Sequence, residues 1–143
     1  MKLIVDANVV FSALLMQGKP LRVFEDNSLL NKYELISPEY LFVEIDEEMS
    51  RILTYTKYSR EEFDKVFRFI KESIELMPFE SFRDKLKEAA KIAPHKEDIP
   101  YVALSLKLNC GILSGDKPLK ERLPDKVMTP AEALERMTGK RAL

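Results

Sequence analysis

The stretch Lys2-Leu3-Ile4-Val5-Asp6-Ala7-Asn8 limits the possible fold more than any other part of the chain. Leu3, Ile4 and Val5 form a short apolar run that reads as a buried strand. The run stops on a carboxylate, Asp6, with an amide two residues on at Asn8. Val9, Val10, Phe11, Leu14 and Leu15 then predict a helix over 7–15. Strand, acid and helix in that order is how a parallel α/β sheet presents a carboxylate at the carboxyl end of a strand, where such sheets bind ligands.

The rest of the chain repeats the alternation. Gln17-Gly18-Lys19-Pro20 breaks the first helix, and a second is predicted over 21–30. Glu34-Leu35-Ile36 is a second strand. Ser37-Pro38 reads as an N-cap followed by proline at the first helical position. The helix it opens, 38–55, carries the stripe Leu41, Phe42, Ile45, Met49, Ile52 and Leu53. Ser59-Arg60-Glu61-Glu62 is a capping box. The helix behind it presents Phe63, Val66, Phe67, Ile70, Ile74 and Met77 on one face, and forms a hairpin with the helix before it. Glu75-Leu76-Met77 is alternatively a minor third strand, ended by Pro78.

Further on, helices are predicted over 81–93 and from Asp98-Ile99-Pro100 to Asn109. Gly111-Ile112-Leu113-Ser114 is a strand, followed by Gly115-Asp116 and a short helix over 118–123. Val127-Met128 is the last strand. Thr129-Pro130-Ala131-Glu132 combines a capping box with proline at N1 and opens a final helix to 137. Residues 138–143 read as a frayed basic tail. Short strands alternating with helices predict a three-layer α/β/α fold with a short central parallel sheet. At 143 residues with no repeat or linker, residues 1–143 read as one domain.

Composition excludes several classes. A net charge of −1 excludes a broadly basic nucleic-acid binder, so any such site must be local. The single cysteine, Cys110, excludes an internal disulfide, suits a reducing cytoplasmic setting, and reads as a small buried hydrophobe. No apolar run approaches membrane-spanning length.

Two strands end in acid, at Asp6 and Asp116. Asp98 sits at a helix start, and Glu44 lies on the helix after strand 2. Carboxylates gathered in one pocket repel each other unless a cation is present. A hard ion such as Mg²⁺ or Mn²⁺ takes oxygen ligands, activates a water and stabilises charge on a phosphodiester under attack. Each acid also has a plainer role. Asp98 and Asp116 could cap helices. Asp6 is harder to dismiss, because a buried carboxylate at a strand end needs a partner. Periodicity does not select Glu44, since Asp46 and Glu48 flank the apolar stripe as closely.

Four segments together resemble the PIN-domain family, small metal-dependent ribonucleases that include the toxins of toxin–antitoxin pairs. They are Ile4-Val5-Asp6-Ala7-Asn8, Ser37-Pro38 through Glu44-Ile45, Asp98-Ile99-Pro100-Tyr101-Val102-Ala103-Leu104, and Leu113-Ser114-Gly115-Asp116-Lys117-Pro118-Leu119. The resemblance covers nearly the whole chain. It implies that Asp6, Glu44, Asp98 and Asp116 are the catalytic acids and ligands of Mg²⁺ or Mn²⁺. Asn8 and Ser114 would orient those ligands or water. It further implies an RNA substrate, a homodimer and, for a toxin, an antitoxin partner. Glu97 adjoins Asp98, and the sequence leaves open which of the two points inward.

Lys96, Lys117, Lys120 and Arg122 are basic residues near these acids, with Lys57, Arg60 and Arg68 by the helical hairpin; Lys96 and Lys117 are the candidates for holding RNA phosphates. The default for each is a solvated surface charge. His95, the only histidine, lies in Pro94-His95-Lys96-Glu97 and reads as an exposed loop residue. Phe69, Tyr55 and Tyr58 are candidates for an interface or for packing under a neighbouring helix.

Three functions compete at this stage. The first is a metal-dependent endoribonuclease. The second is a non-catalytic RNA-binding or scaffold module on the same fold, which the presence of all four acids disfavours. The third is a haloacid-dehalogenase-like phosphatase, which wants an aspartate where this chain has Asn8 and an acid where it has Lys120.

Overall fold

The structure is a computed structural model and describes residues 1–139. The described residues form five strands and nine α-helices. The strands are β1 (Lys2–Val5), β2 (Glu34–Pro38), β3 (Glu75–Met77), β4 (Gly111–Leu113) and β5 (Val127–Met128). The helices are α1 (Ala7–Leu15), α2 (Lys19–Leu30), α3 (Leu41–Glu47), α4 (Met49–Tyr55), α5 (Arg60–Ser73), α6 (Leu86–Ile92), α7 (Ile99–Leu108), α8 (Lys117–Arg122) and α9 (Pro130–Thr138).

All strands join one parallel sheet in the order β3-β2-β1-β4-β5. β1 is central, with Ile4 opposite Ile36 on one side and Ile112 on the other. Leu3, Ile4 and Val5 are all buried, as a strand covered on both faces requires. From β1 the chain winds outward through β2 to β3, then returns past β1 to β4 and β5. The winding therefore reverses between β1 and β4. At such a reversal the loops after two adjacent strands diverge, and a crevice opens at their carboxyl ends. Asp6 follows β1 there, and Asp116 lies three residues beyond β4.

Helices cover both faces. α1, α2, α5 and α9 pack together, while α7 lies across β1, β2 and β4 with α6 against it. Right-handed crossovers place the helices of the outward and return windings on opposite faces. The expected α/β/α layering is therefore present.

Local signals hold where the capping chemistry is explicit. Ser59 and Glu62 form the predicted capping box, as do Thr129 and Glu132. Other boundaries differ. Ser37 and Pro38 do not open a helix. Both belong to β2, and Ser37 Oγ donates to the Val5 carbonyl at 2.6 Å. The hydroxyl thus ties the ends of β1 and β2 together immediately before Asp6. The helix expected over 38–55 is two helices, α3 and α4. They meet at Glu48, whose backbone (φ −100°, ψ 5°) leaves helical geometry.

α5 ends at Ser73, and Ile74 is extended, so Glu75–Met77 takes the strand alternative. α5 packs on α1 and α2, and its Phe67 meets Phe42 of α3 with ring centroids 6.1 Å apart. The region expected as a helix over 81–93 starts as 3-10 turns at Phe79–Ser81 and Arg83–Lys85, and becomes α-helical only at Leu86. α2 starts at Lys19 rather than 21, with Pro20 in its first turn, where a missing N–H costs nothing. Thr138 is the last residue of α9, and Gly139 adopts the left-handed conformation just past it. The remainder of the expected tail, 140–143, lies outside the described residues.

Cys110 is half-buried and burial pushes its thiol up, in keeping with an inert packing residue. Phe69 and Tyr58 pack against the core, and the Tyr58 hydroxyl donates to the Ala13 carbonyl at 2.9 Å; Tyr55 is exposed. Among the described residues no helix is long and apolar enough to cross a membrane.

Candidate functional site

Asp6 is the N-cap residue of α1, yet its side chain makes no capping bond. Its carboxylate turns instead to the β4 side of the crevice. Ser114 Oγ donates to Asp6 Oδ2 at 2.7 Å, and Asn8 Nδ2 donates to the same oxygen at 3.1 Å. Asn8 also donates to Ser114 Oγ at 3.1 Å and accepts from the Gly115 N–H at 3.1 Å. The Asp116 N–H donates to Ser114 Oγ at 3.1 Å. Asn8 and Ser114 therefore lock the loop after β4 to the residue after β1, which brings Asp116 to Asp6.

Asp6 is only 6% exposed. Burial, with the charges of Asp98 and Asp116, pushes its carboxyl up to about 6, against the lowering effect of the Ser114 and Ala7 hydrogen bonds. Asp98 is 8% exposed and is likewise raised, by burial and then by Asp116. Its Oδ2 accepts from the His95 N–H at 3.2 Å, and it makes no capping bond to α7. Glu97, beside it, is exposed, so Asp98 is the inward acid of the pair. His95 is exposed as expected; its backbone N–H donates to Asp98, and its side chain also lowers the Asp98 carboxyl.

Asp116 does cap a helix: its Oδ2 accepts from the Leu119 N–H of α8 at 2.9 Å. The cap fixes one carboxylate oxygen and with it the side-chain direction. Glu44 is half-buried, raised by burial first and then by Glu47, Glu97 and Asp98. The Tyr101 hydroxyl donates to Glu44 Oε1 at 2.6 Å. Sequence reasoning assigned Tyr101 no role. The available signal was its spacing, one helical turn beyond Asp98.

The four acids thus form a chain of mutual repulsion: Asp116 and Asp98 act on Asp6, and Asp98 acts on Glu44. Among the described residues no three Asp, Glu, His or Cys side chains stand close enough to form a metal-holding group. The acids feel one another's charge without meeting, as like charges in a partly dry pocket do. The donor set still suits a hard divalent ion in kind: every donor is oxygen, and two of them, Asp6 and Asp98, are buried.

Glu44 lines a cleft of about 410 Å³ with Phe11, Tyr40, Arg51, Lys96 and Pro100 among others. Lys96 and Lys117 are exposed, and neither is in an ion pair among the described residues. Lys120 is spent on the Val127 carbonyl and Glu132. A larger cavity, about 570 Å³, opens beside Lys2, Gly111 and Lys126 at the opposite ends of β1 and β4. It holds no buried acid; the buried carboxylates Asp6 and Asp98 lie elsewhere.

Comparison with known proteins bears on the fold and the family. No curated protein matches the chain. A solved structure, VapBC2 from Rickettsia felis bound to a DNA fragment from their promoter, contains a chain of similar fold. The TM-score is 0.58 at 12% identity, covering 90% of this chain and 98% of that one. The family model described as PIN domain matches residues 4–123, a span that contains all four acids. With that match over most of its length, the chain belongs to the PIN-domain family.

Proposed function

We propose that this protein is an endoribonuclease dependent on Mg²⁺ or Mn²⁺, which hydrolyses RNA phosphodiesters. The observation that carries the reading is Asp6: a buried carboxylate, raised to about 6, with Asp98 and Asp116 as its like-charged neighbours at the crevice. Such an arrangement costs stability unless it serves a cation. Asp6, Asp98, Asp116 and Glu44 would hold the ion. When bound, it supplies an activated water nucleophile and stabilises charge on the phosphodiester. Asn8 and Ser114 orient Asp6, and the α8 cap orients Asp116. Lys96 and Lys117 would meet RNA phosphates at the rim.

Membership of the PIN-domain family supports nuclease chemistry, and the likeness to a VapBC chain supports a toxin with an antitoxin partner. A homodimer in a reducing cytoplasm completes the reading. The phosphatase alternative needs a second acid at position 8. Here Asn8 uses its amide to brace Asp6, Ser114 and Gly115, a supporting role an acid would not fill.

The test is Mn²⁺ titration by calorimetry on wild type, Asp6→Asn and Glu48→Gln, followed by cleavage assays on single- and double-stranded RNA. Glu48 pairs with Arg51 at 3.0 Å and serves as the control acid. Wild type and Glu48→Gln should bind Mn²⁺ while Asp6→Asn does not, and wild type should cut RNA only with metal. Absence of metal binding and of cleavage in wild type would sink the reading and favour a non-catalytic RNA-binding module.

A further inference from the structure

Glu44 has acidic company. Asp46, Glu47 and Glu48 stand on or beside the same helix, and Glu47, Glu48 and Glu97 line the same cleft. Their surroundings differ. Glu48 is paired with Arg51, while Glu47 and Glu97 are exposed. Glu44 is half-buried and, among the described residues, has no lysine or arginine in ion-pair contact. Its hydrogen-bond donor is the Tyr101 phenol, at 2.6 Å.

Tyr101 is 2% exposed and is the third residue of α7, one turn from Asp98 at the N-cap. Residues three apart leave a helix on the same face. The phenol therefore spans from the helix start that carries Asp98 to the helix that carries Glu44. A phenol is protonated at neutral pH, and here its O–H donates to Glu44 Oε1. A lysine or arginine in its place would fix Glu44 equally well but would neutralise it. A neutral donor fixes the carboxylate and leaves its charge available.

We propose that Tyr101 is a positioning residue: a neutral strut that selects Glu44 from its acidic neighbours, sets its separation from Asp98, and preserves its charge for a divalent ion. The proposal rests on the metal-site reading above. Loss of a partner that orients a ligand weakens metal binding by roughly 10–100-fold.

Mn²⁺ affinity by calorimetry, with the Mn²⁺ EPR lineshape, tests it on wild type, Tyr101→Phe, Glu44→Gln and the double variant. Thermal unfolding without metal runs in parallel. Tyr101→Phe should weaken Mn²⁺ binding about tenfold and broaden the lineshape. In the Glu44→Gln background the same change should do nothing further, because its route is through Glu44. Tyr101→Phe binding Mn²⁺ like wild type, with only its melting temperature lowered, would reduce Tyr101 to a packing residue and overturn the proposal. Independent, additive losses would overturn it too. If Glu44→Gln itself binds like wild type, Glu44 is no ligand, and the failure lies in the metal-site reading rather than in the strut.

Discussion

The Ser114 hydroxyl donates to the Asp6 carboxylate at 2.7 Å across 108 positions of sequence. This one bond joins the ends of β1 and β4, the two strands between which the sheet reverses its winding. Ser114 Oγ also accepts from Asn8 and from the Asp116 N–H, so its loss would unsettle two acids at once. Ser114→Ala should lower stability by about 1–2 kcal/mol, measured by urea unfolding. Because the Ser114 bond lowers the Asp6 carboxyl, the variant should also shift it upward, read by carboxyl NMR.

A pH dependence follows from the raised Asp6 carboxyl. The folded form titrates near 6 and the unfolded form near 3.8, so between these values the folded state holds more protons. Metal-free stability should therefore fall as pH rises from about 4 to about 6, by up to about 3 kcal/mol for this group. Asp6→Asn should lack that component. Urea unfolding of both proteins in chelator, across this range, checks it; parallel curves would count against the assigned burial of charge.

Asp116 should separate its two roles by substitution. Asparagine caps helices as well as aspartate does. Asp116→Asn keeps the cap and relieves the repulsion on Asp6 and Asp98, so without metal it should be at least as stable as wild type, yet bind Mn²⁺ more weakly. Asp116→Ala should in addition lose about 1 kcal/mol of stability with the α8 cap. Calorimetry and chemical denaturation on the two variants distinguish these effects.

Gly111 supplies a control at the far end of the sheet. A Cβ at this position would stand 3.0 Å from the Lys126 carbonyl oxygen, a backbone atom that cannot swing away. Gly111→Ala should cost about 1–3 kcal/mol through that overlap while leaving Mn²⁺ affinity unchanged. A loss of metal binding in this variant would mean that the two ends of β4 are coupled.

Much of the fold was legible because its signals are local. The run Leu3-Ile4-Val5 marks a strand without reference to the rest of the chain. The Ser59 and Thr129 capping boxes each complete themselves within four residues. The same locality misled at Ser37-Pro38. That pair has the chemistry of a helix start, but the Val5 carbonyl 32 positions away captures the Ser37 hydroxyl and keeps both residues in β2. The helix over 38–55 reads as continuous because both halves share one apolar stripe, and no residue type announces the break at Glu48.

The sequence alone determined that this chain alternates strand and helix, and that acids stand at Asp6 and Asp116 after two apolar strands. Hydrophobic period and capping chemistry are enough for that, since each is a property of a few adjacent residues. Which acids become neighbours was decided by tertiary structure. The order β3-β2-β1-β4-β5 sets β1 beside β4 and makes neighbours of Asp6 and Asp116. Burial of Asp98 with exposure of Glu97 resolves a choice between adjacent carboxylates that composition cannot make. Glu44 is distinguished from Glu47 and Glu48 by a tyrosine 57 positions away. Periodicity fixes which face of an element is apolar, but a hydrogen bond between distant elements exists only once the chain has closed around it.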